Sequence, residues 1–317
     1  MRSRPAEADP KVRVYGPVPS RRLGFSLGVD LLPFKTCSMD CVYCQLGSTG
    51  ATTVRRREFV PVRTILRQIK DALARKEPLD AITFSGSGEP TLHSGLGRII
   101  AGIRRLTGVK IVLLTNSSCL TGARARRDAA AADIVVPSLD AATPGVFARI
   151  NRPHAGLTVE KIIDGLVAFR REFKGLIWLE IMLVKGLNDR PAHLRALKKA
   201  IARIRPDRVQ LNTVVRPPAE KSARPLTRKE LEAVREALGG EAEIIADFSR
   251  ARRTEEPADP ASAIAGTLLR RPMTAADLAS SLGLPLEEVL AQLRRLVVVG
   301  QVRSARHSGR IYYEPGR

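Results

Sequence analysis

Residues 27–46 read L-G-V-D-L-L-P-F-K-T-C-S-M-D-C-V-Y-C-Q-L: an apolar run that suits a buried strand, then three thiols, Cys37, Cys41 and Cys44, at intervals of four and three. That spacing lets one loop wrap all three around a single compact metal centre. Zinc would ask for a fourth protein ligand to close its tetrahedron. The only other cysteine, Cys119, lies 75 residues further on, just past a predicted strand, where a small buried apolar role is its ordinary use. Three ligands therefore suit a [4Fe–4S] cube with one iron left open to an exogenous ligand, a design for binding a substrate or cofactor rather than for electron transfer alone. Structural zinc and unpaired buried thiols are the competing readings. Four cysteines in 317 residues are too few for a disulfide scaffold.

On either side of this loop the pattern sets the fold class as α/β. Between residues 25 and 247, short β-branched runs alternate with longer segments whose apolar residues recur every three or four positions, as in repeated βα units around a parallel sheet. The predicted strands are Leu27 to Leu32, Ala81 to Ser85, Lys110 to Thr115, Ile134 to Ser138, Leu176 to Val184 and Arg208 to Val214, with a seventh at Ala242 to Asp247. Val62, Ile65, Leu66, Ile69 and Leu73 mark one helical face between them; Leu194, Leu197, Ile201 and Ile204 mark a second, and Leu231, Val234 and Leu238 a third. Thr227 with Glu230 spells a capping box, and Pro144 and Pro191 suit the first turns of two other helices.

The segment 252–262, R-R-T-E-E-P-A-D-P-A-S, has no periodicity and two prolines, which is linker composition and predicts few contacts across it. In the final stretch, 263–317, Thr274 and Asp277 cap a short helix ending at Gly283, and Pro285 opens another carrying Val289, Leu293 and Leu296. A strand, a turn at Gly309 and a second strand run from Gln301 to Tyr313. Helix, tight turn, helix and hairpin resembles a winged helix-turn-helix. The net charge of +21 would attract polyanions or an acidic partner, although Arg outnumbers Lys 41 to 12, a bias that GC-rich codons alone produce. Residues 255–317 carry only +1, so the basic charge lies elsewhere, and Glu287 and Glu288 at the start of the would-be recognition helix disfavour major-groove readout. Arg303, Arg306 and Arg310 keep a wing contact with DNA open. No run reaches the roughly 18 apolar residues of a membrane span, and the first ten residues are polar, so the expectation is a cytoplasmic protein without a membrane partner.

Several motifs in order, G-V-D-L-L-P-F-K-T-C-S-M-D-C-V-Y-C-Q-L-G, F-S-G-S-G-E-P-T-L, L-L-T-N-S, P-S-L-D-A and R-I-N-R-P-H, resemble the radical S-adenosylmethionine (SAM) enzymes, specifically an uncharacterised bacterial branch related to the wyosine-tRNA synthases. The resemblance implies a partial (β/α)6 TIM-like barrel over residues 15–251, after a flexible tail at 1–14. It implies that Cys37, Cys41 and Cys44 hold a [4Fe–4S] cluster whose fourth iron is chelated by the amino and carboxylate groups of SAM. Tyr43 would pack on the adenine. Gly86, Ser87, Gly88, Glu89 and Pro90 would receive the cofactor's ammonium through backbone carbonyls, with Ser87 standing where the family has glycine, a swap that is tolerable if its φ stays negative. Asn116 would bond the methionyl carboxylate, Ser138 and Asp140 the ribose hydroxyls, and Asn212 the adenine edge. All lie at the carboxyl ends of successive predicted strands, where such barrels place their sites.

By the same resemblance, SAM is cleaved reductively to a 5′-deoxyadenosyl radical that abstracts hydrogen from a substrate, RNA or protein among the candidates. A one-electron donor such as flavodoxin or ferredoxin is implied, and an acidic donor suits a basic chain. Arg152, His154 and Lys185 are the substrate-side candidates, with solvated charge as the plainer reading of each. The alternative to the enzyme is a cluster-bearing regulator that binds DNA through its winged helix.

Overall fold

A computed structural model describes residues 13–20, 22–246, 259–268, 272–307 and 309–316. Six strand–helix units make up its larger part: β2 (Gly24–Val29) with α1 (Val62–Leu73), β3 (Ala81–Phe84) with α2 (Leu96–Arg104), β4 (Lys110–Thr115) with α3 (Ala123–Ala129), β5 (Ile134–Pro137) with α4 (Pro144–Ile150) and α5 (Val159–Glu172), β6 (Leu176–Leu183) with α6 (Pro191–Ile204), and β7 (Arg208–Thr213) with α7 (Arg228–Leu238). A two-residue strand, β8 (Glu243–Ile244), closes the series; the end of the predicted seventh strand, Asp247, lies outside the described residues. Strands β2 to β8 run parallel in sequence order, so the fold is an α/β sheet of consecutive right-neighbour crossovers. An eighth strand that the pattern did not announce, β1 (Val14–Ser20), pairs antiparallel with β2 at the edge. Its sequence V-Y-G-P-V-P-S carries two prolines, which demote a strand by pattern yet are tolerated where one side of the backbone needs no ladder bonds.

Alternation along each strand sorts the residues into two faces. Ile82, Phe84, Ile111, Leu113, Val135, Ile177, Leu179 and Ile181 face the helices and are almost fully buried with Ile65, Ile69, Ile99 and Leu166 in the main core. The opposite face holds a smaller cluster of Ala81, Val112, Ile134, Val136 and Trp178. Polar groups continue that face: Glu180 on β6, and Gln210 and Asn212 on β7. Arg22, in the β1–β2 turn, reaches onto that face, where it ion-pairs with Glu180 midway along β6 and donates to Gln210 Oε1 at 2.9 Å. The caps fall as their chemistry dictates. Thr227 and Glu230 complete the capping box of α7, and Pro144 and Pro191 occupy the first turns of α4 and α6.

The last part of the chain forms α8 (Pro260–Leu268), α9 (Ala275–Leu282), α10 (Leu286–Val298) and the hairpin β9 (Val302–His307) with β10 (Arg310–Pro315). Helix α8 thus begins inside the expected linker, because Asp259 accepts from Ser262 N and so caps it. Thr274 caps α9 through Asp277 N, and Gly283 stops it in the left-handed region at φ 70°. These elements bury a separate apolar cluster that includes Ile264, Leu278, Val289 and Leu293. The composition of the preceding segment suggested few contacts back to the sheet, and the structure differs. Helices α8 and α9 lie against β1, while His307 Nε2 donates to Val214 O at 2.9 Å and Tyr312 Oη to Val215 O at 2.6 Å. Tyr312 is 2% exposed, so its apolar ring is buried and its hydroxyl finds a carbonyl just past β7. The segments 1–12 and 247–258, which contain most of the expected tail and linker, lie outside the described residues.

Candidate active site at the cysteine loop

The loop bearing the thiols is clamped by backbone on two sides. On one side Thr36 bridges Gly88 in parallel, and Glu89 N donates to Thr36 O at 3.1 Å. On the other, Met39 bridges Pro153, His154 N donates to Ser38 O at 2.9 Å, and Asp40 N is shared between the carbonyls of Asn151 and Arg152. A Cβ on Gly88 would stand 1.8 Å from Thr36 O, and one on Gly86, at φ 148°, would stand 2.5 Å from Asp30 Cγ. The close approaches these glycines permit are therefore to the cysteine loop and to Asp30. Ser87 has no positive φ, and its hydroxyl donates to Asp30 Oδ2 at 2.5 Å, so the serine fits the turn without strain.

Each of the three sulfurs receives its own N–H donor. Asn116 Nδ2 lies 3.4 Å from Cys37 Sγ, Asn151 Nδ2 lies 3.4 Å from Cys41 Sγ, and Lys35 Nζ lies 3.0 Å from Cys44 Sγ. Donors aimed at sulfur favour the thiolate over the thiol. Burial works the other way: it pushes Cys37 up to about 11 and Cys41 higher still, with Glu89 and Asp140 adding to the respective shifts. Ionised thiols here thus call for positive charge, which a metal centre supplies. Among the described residues no three His, Cys, Asp or Glu side chains stand at the spacing of one metal ion. A four-coordinate zinc needs such spacing, with sulfurs roughly 2.3 Å from one centre, whereas a cube takes each thiolate on a different iron. Cys119 is buried beside Glu89 and likewise pushed up to about 11, the expected state of a core thiol.

Two buried carboxylates organise the surroundings. Glu89, 2% exposed, accepts from Thr91 N at 3.0 Å, Thr115 Oγ1 at 2.6 Å and Asn116 N at 2.6 Å, which ties the turn after β3 to the end of β4. Asp140, 3% exposed, accepts from Tyr43 Oη, from Asn151 Nδ2 at 2.8 Å and from Met182 N at 2.9 Å. Burial raises both above the usual carboxylate range, although each of these hydrogen bonds opposes it. Tyr43, pushed well above its ordinary value by burial and then by Asp140, is held by its hydroxyl.

The structure brings most of the sequence candidates together. Asn116, Ser138 and Asp140 line one small cavity with Met39 and Asn151, beside the thiols. Pro90 opens a short turn capped by Glu89. Asn116 is spoken for at both ends, with Nδ2 on Cys37 and Ser38 and Oδ1 accepting from Ser118 N. Asn212 sits on the sheet's inner face and donates to Glu180 Oε1 at 3.1 Å. His154 and Arg152 belong to the segment that clamps the cysteine loop; Arg152, at φ 44°, reaches Glu220 Oε1 at 2.8 Å. Lys185 stands apart, paired with Glu230 at 2.6 Å on the cap of α7. Pattern reading missed Asp30, Lys35, Asn151, Arg22 and Glu180. Asn151 had a signal, since it lies inside R-I-N-R-P-H, but attention there went to the basic residues. Asp30 and Lys35 likewise lie inside the quoted G-V-D-L-L-P-F-K-T-C run, whereas Arg22 and Glu180 had no signal, because a single charged residue in a turn or strand reads as solvated until its burial is known.

An α/β sheet of parallel strands with a three-thiol loop after the first of them defines the class, and comparison with known proteins supplies the family. Residues 31–200 match the model of the radical SAM superfamily. The chain belongs to that superfamily and is an enzyme of that class, whose cofactors are a [4Fe–4S] cluster and SAM. It is 42% identical over 207 residues to a UPF0026 protein of Synechocystis, covering 64% of this chain and 76% of that one. It is also 37% identical over 310 residues to a protein of Brachyspira hyodysenteriae named GTPase Obg, covering 95% of this chain but only 45% of that one. The chain thus spans less than half of that relative, and it contains no G-x-x-x-x-G-K phosphate loop. Among solved structures, a radical SAM methyltransferase from Sphaerobacter thermophilus superposes with a TM-score of 0.54 at 16% identity, over 71% of this chain and 66% of that one, a likeness of fold. No helix among the described residues is long and apolar enough to cross a membrane.

Proposed function

We propose that Cys37, Cys41 and Cys44 hold the [4Fe–4S] cluster and that SAM binds beside them at the carboxyl ends of the parallel strands. The observation that carries this is the set of three N–H donors, one on each sulfur, in a loop where burial raises Cys37 and Cys41. When bound, these cofactors supply a 5′-deoxyadenosyl radical for hydrogen abstraction. The chain's own part is positional. Glu89 and Asp140 hold the β3 and β5 turns in place, Tyr43 presents an aromatic face fixed by its hydroxyl, and Asn116 bridges the cysteine loop to β4. Both carboxyls are surrounded by neutral donors and raised by burial, so a cationic ligand such as a sulfonium with an ammonium group would favour their ionised form. Gly86, Ser87, Gly88 and Pro90 shape the turn that would meet the ammonium; Ser138 would meet the ribose, and Asn212, further in, the adenine edge or the substrate.

For the acceptor, the +20 carried outside residues 255–317 supports a polyanion such as RNA, in keeping with the resemblance to wyosine-tRNA synthases, or an acidic one-electron donor of the flavodoxin or ferredoxin kind. Arg152 and His154, next to the loop, are the better placed of the three basic candidates. Residues 15–251 are read as the barrel and 263–317 as a winged helix docked on it through Tyr312 and His307. With that hairpin engaged against the barrel, substrate presentation suits the unit better than DNA binding. Anaerobic reconstitution with iron and sulfide tests the cofactor reading. Wild type and Cys119→Ala should take up about four irons per chain and yield 5′-deoxyadenosine from SAM under reduction. Alanine at Cys37, Cys41 or Cys44 should abolish both, and iron uptake by any of these three would sink the assignment.

A further inference from the structure

The turn that leads into the cysteine loop holds one residue in an unfavoured backbone. Thr36 N donates to Pro33 O at 3.2 Å, which closes a turn with Phe34 and Lys35 at its centre, and Lys35 stands there at φ 59°. Glycine or asparagine is the usual occupant of that position, because a Cβ is disfavoured in the left-handed region. The chain keeps a lysine, and its side chain has a destination: Nζ lies 3.0 Å from Cys44 Sγ. The next residue fixes the aim, since Thr36 O accepts from Glu89 N at 3.1 Å and Thr36 bridges Gly88. Of the three donors on the sulfurs, Asn116 and Asn151 are neutral amides, and Lys35 alone is a cation. No carboxylate among the described residues pairs with Lys35, so its charge is directed to the sulfur.

We propose that Lys35 sets how readily the cluster is reduced, its ammonium on the Cys44 sulfur meeting the negative charge that an added electron brings. This rests on the cofactor reading above. Reduction moves one electron from a one-electron donor onto the iron–sulfur centre, with no bond made or broken and no proton transferred. A fixed cation beside a ligand sulfur stabilises the reduced state more than the oxidised one, because Coulomb attraction grows with the negative charge it faces. The potentials of such centres respond to net charge and to hydrogen bonds at sulfur, and Lys35 supplies both. A glycine would hold the same turn without strain and leave Cys44 without its cation, which accounts for a side chain in a left-handed position.

The test uses the full-length chain, reconstituted anaerobically without SAM, as wild type, Lys35→Met, Lys35→Gly and Lys35→Arg. Iron and sulfide content are measured, and the midpoint potential is read from the electron paramagnetic resonance signal during stepwise reduction with dithionite. Lys35→Met and Lys35→Gly should load as much iron as wild type and be about tenfold harder to reduce, a midpoint lower by about 59 mV for one electron. Lys35→Arg should keep the wild-type midpoint, since it returns the charge. Because glycine suits the turn better than any side chain, Lys35→Gly separates the backbone from the charge. A wild-type midpoint in iron-replete Lys35→Met or Lys35→Gly would overturn the proposal and leave the cofactor reading intact, and so would a Lys35→Arg midpoint as low as that of Lys35→Met. Loss of iron from both Lys35→Met and Lys35→Gly would also overturn it, by reducing Lys35 to an assembly residue. If wild type itself takes up no iron, the cofactor reading fails and the proposal with it.

Discussion

At the carboxyl ends of the strands Glu89 and Asp140 are met by hydroxyls, amides and backbone N–H groups, whereas Glu180, midway along β6, is met by the guanidinium of Arg22. Glu89 and Asp140 are buried, and Glu180 is partly covered. Neutral donors satisfy the oxygens without a countercharge, so burial raises both acids beside the thiols. A cation offsets the charge, so the floor holds a paired carboxylate with Gln210 and Asn212 around it. The same residue type therefore serves a ligand at one end and the scaffold at the other, and the difference lies in what surrounds it.

The sharpest way to break the contrast is at the mouth. Gly88→Ala places a methyl 1.8 Å from Thr36 O and should force the cysteine loop off the turn after β3. Iron uptake should fall to a small fraction of wild type, with a loss of stability of about 3 kcal/mol, the upper range for overpacking. Gly50, with nothing within 4 Å of a Cβ, gives the control, because Gly50→Ala should load normally. Retention of full iron in the Gly88 variant would mean that the bridge does not shape the site.

A smaller effect is expected at the floor. Arg22→Met leaves Glu180, 15% exposed at its side chain, without its cation and should cost about 3 kcal/mol in urea unfolding while iron content stays at the wild-type level. Adding Glu180→Gln should restore most of that loss. If Arg22→Met instead abolished iron uptake, mouth and floor would not be separable. Smallest of all is the rim, where Lys185 and the Thr227 cap hold the exposed Glu230 carboxyl down to about 2. Its folded value lies below the ordinary 4.5, so its contribution is complete above pH 4.5 and is lost as pH falls towards 2. Glu230→Gln should melt slightly below wild type at pH 7, with the gap closing across that acid window. A gap that persists at pH 2 would assign the effect to something other than this charge.

Some of this was legible before any fold was known. Alternating β-branched and helix-periodic segments announced the βα series, and the six predicted strands from Leu27 to Val214 agree with the observed ones to within a few residues. The capping residues Thr227, Thr274, Pro144 and Pro191 act locally, so their reading needed no tertiary knowledge. Strand β1 was not legible, since its prolines and glycine argue against a strand that only pairing with β2 makes. Nor was the docking of the last hairpin, because Tyr312 and His307 meet carbonyls some 95 residues away in the chain.

Within the site the division is sharper. The sequence by itself determined the three thiols, their spacing and the run of turn residues after successive strands, since covalent order alone puts Cys37, Cys41 and Cys44 on one loop. Only the tertiary structure decided what those turn residues do. Glu89 and Asp140 became buried acceptors for Thr115, Asn116, Tyr43 and Asn151, and Asn116, Asn151 and Lys35 became donors to sulfur. The physical reason is that spacing acts between neighbours in the chain, whereas burial and hydrogen-bond partnership depend on segments that only the sheet brings within 3 to 4 Å of each other.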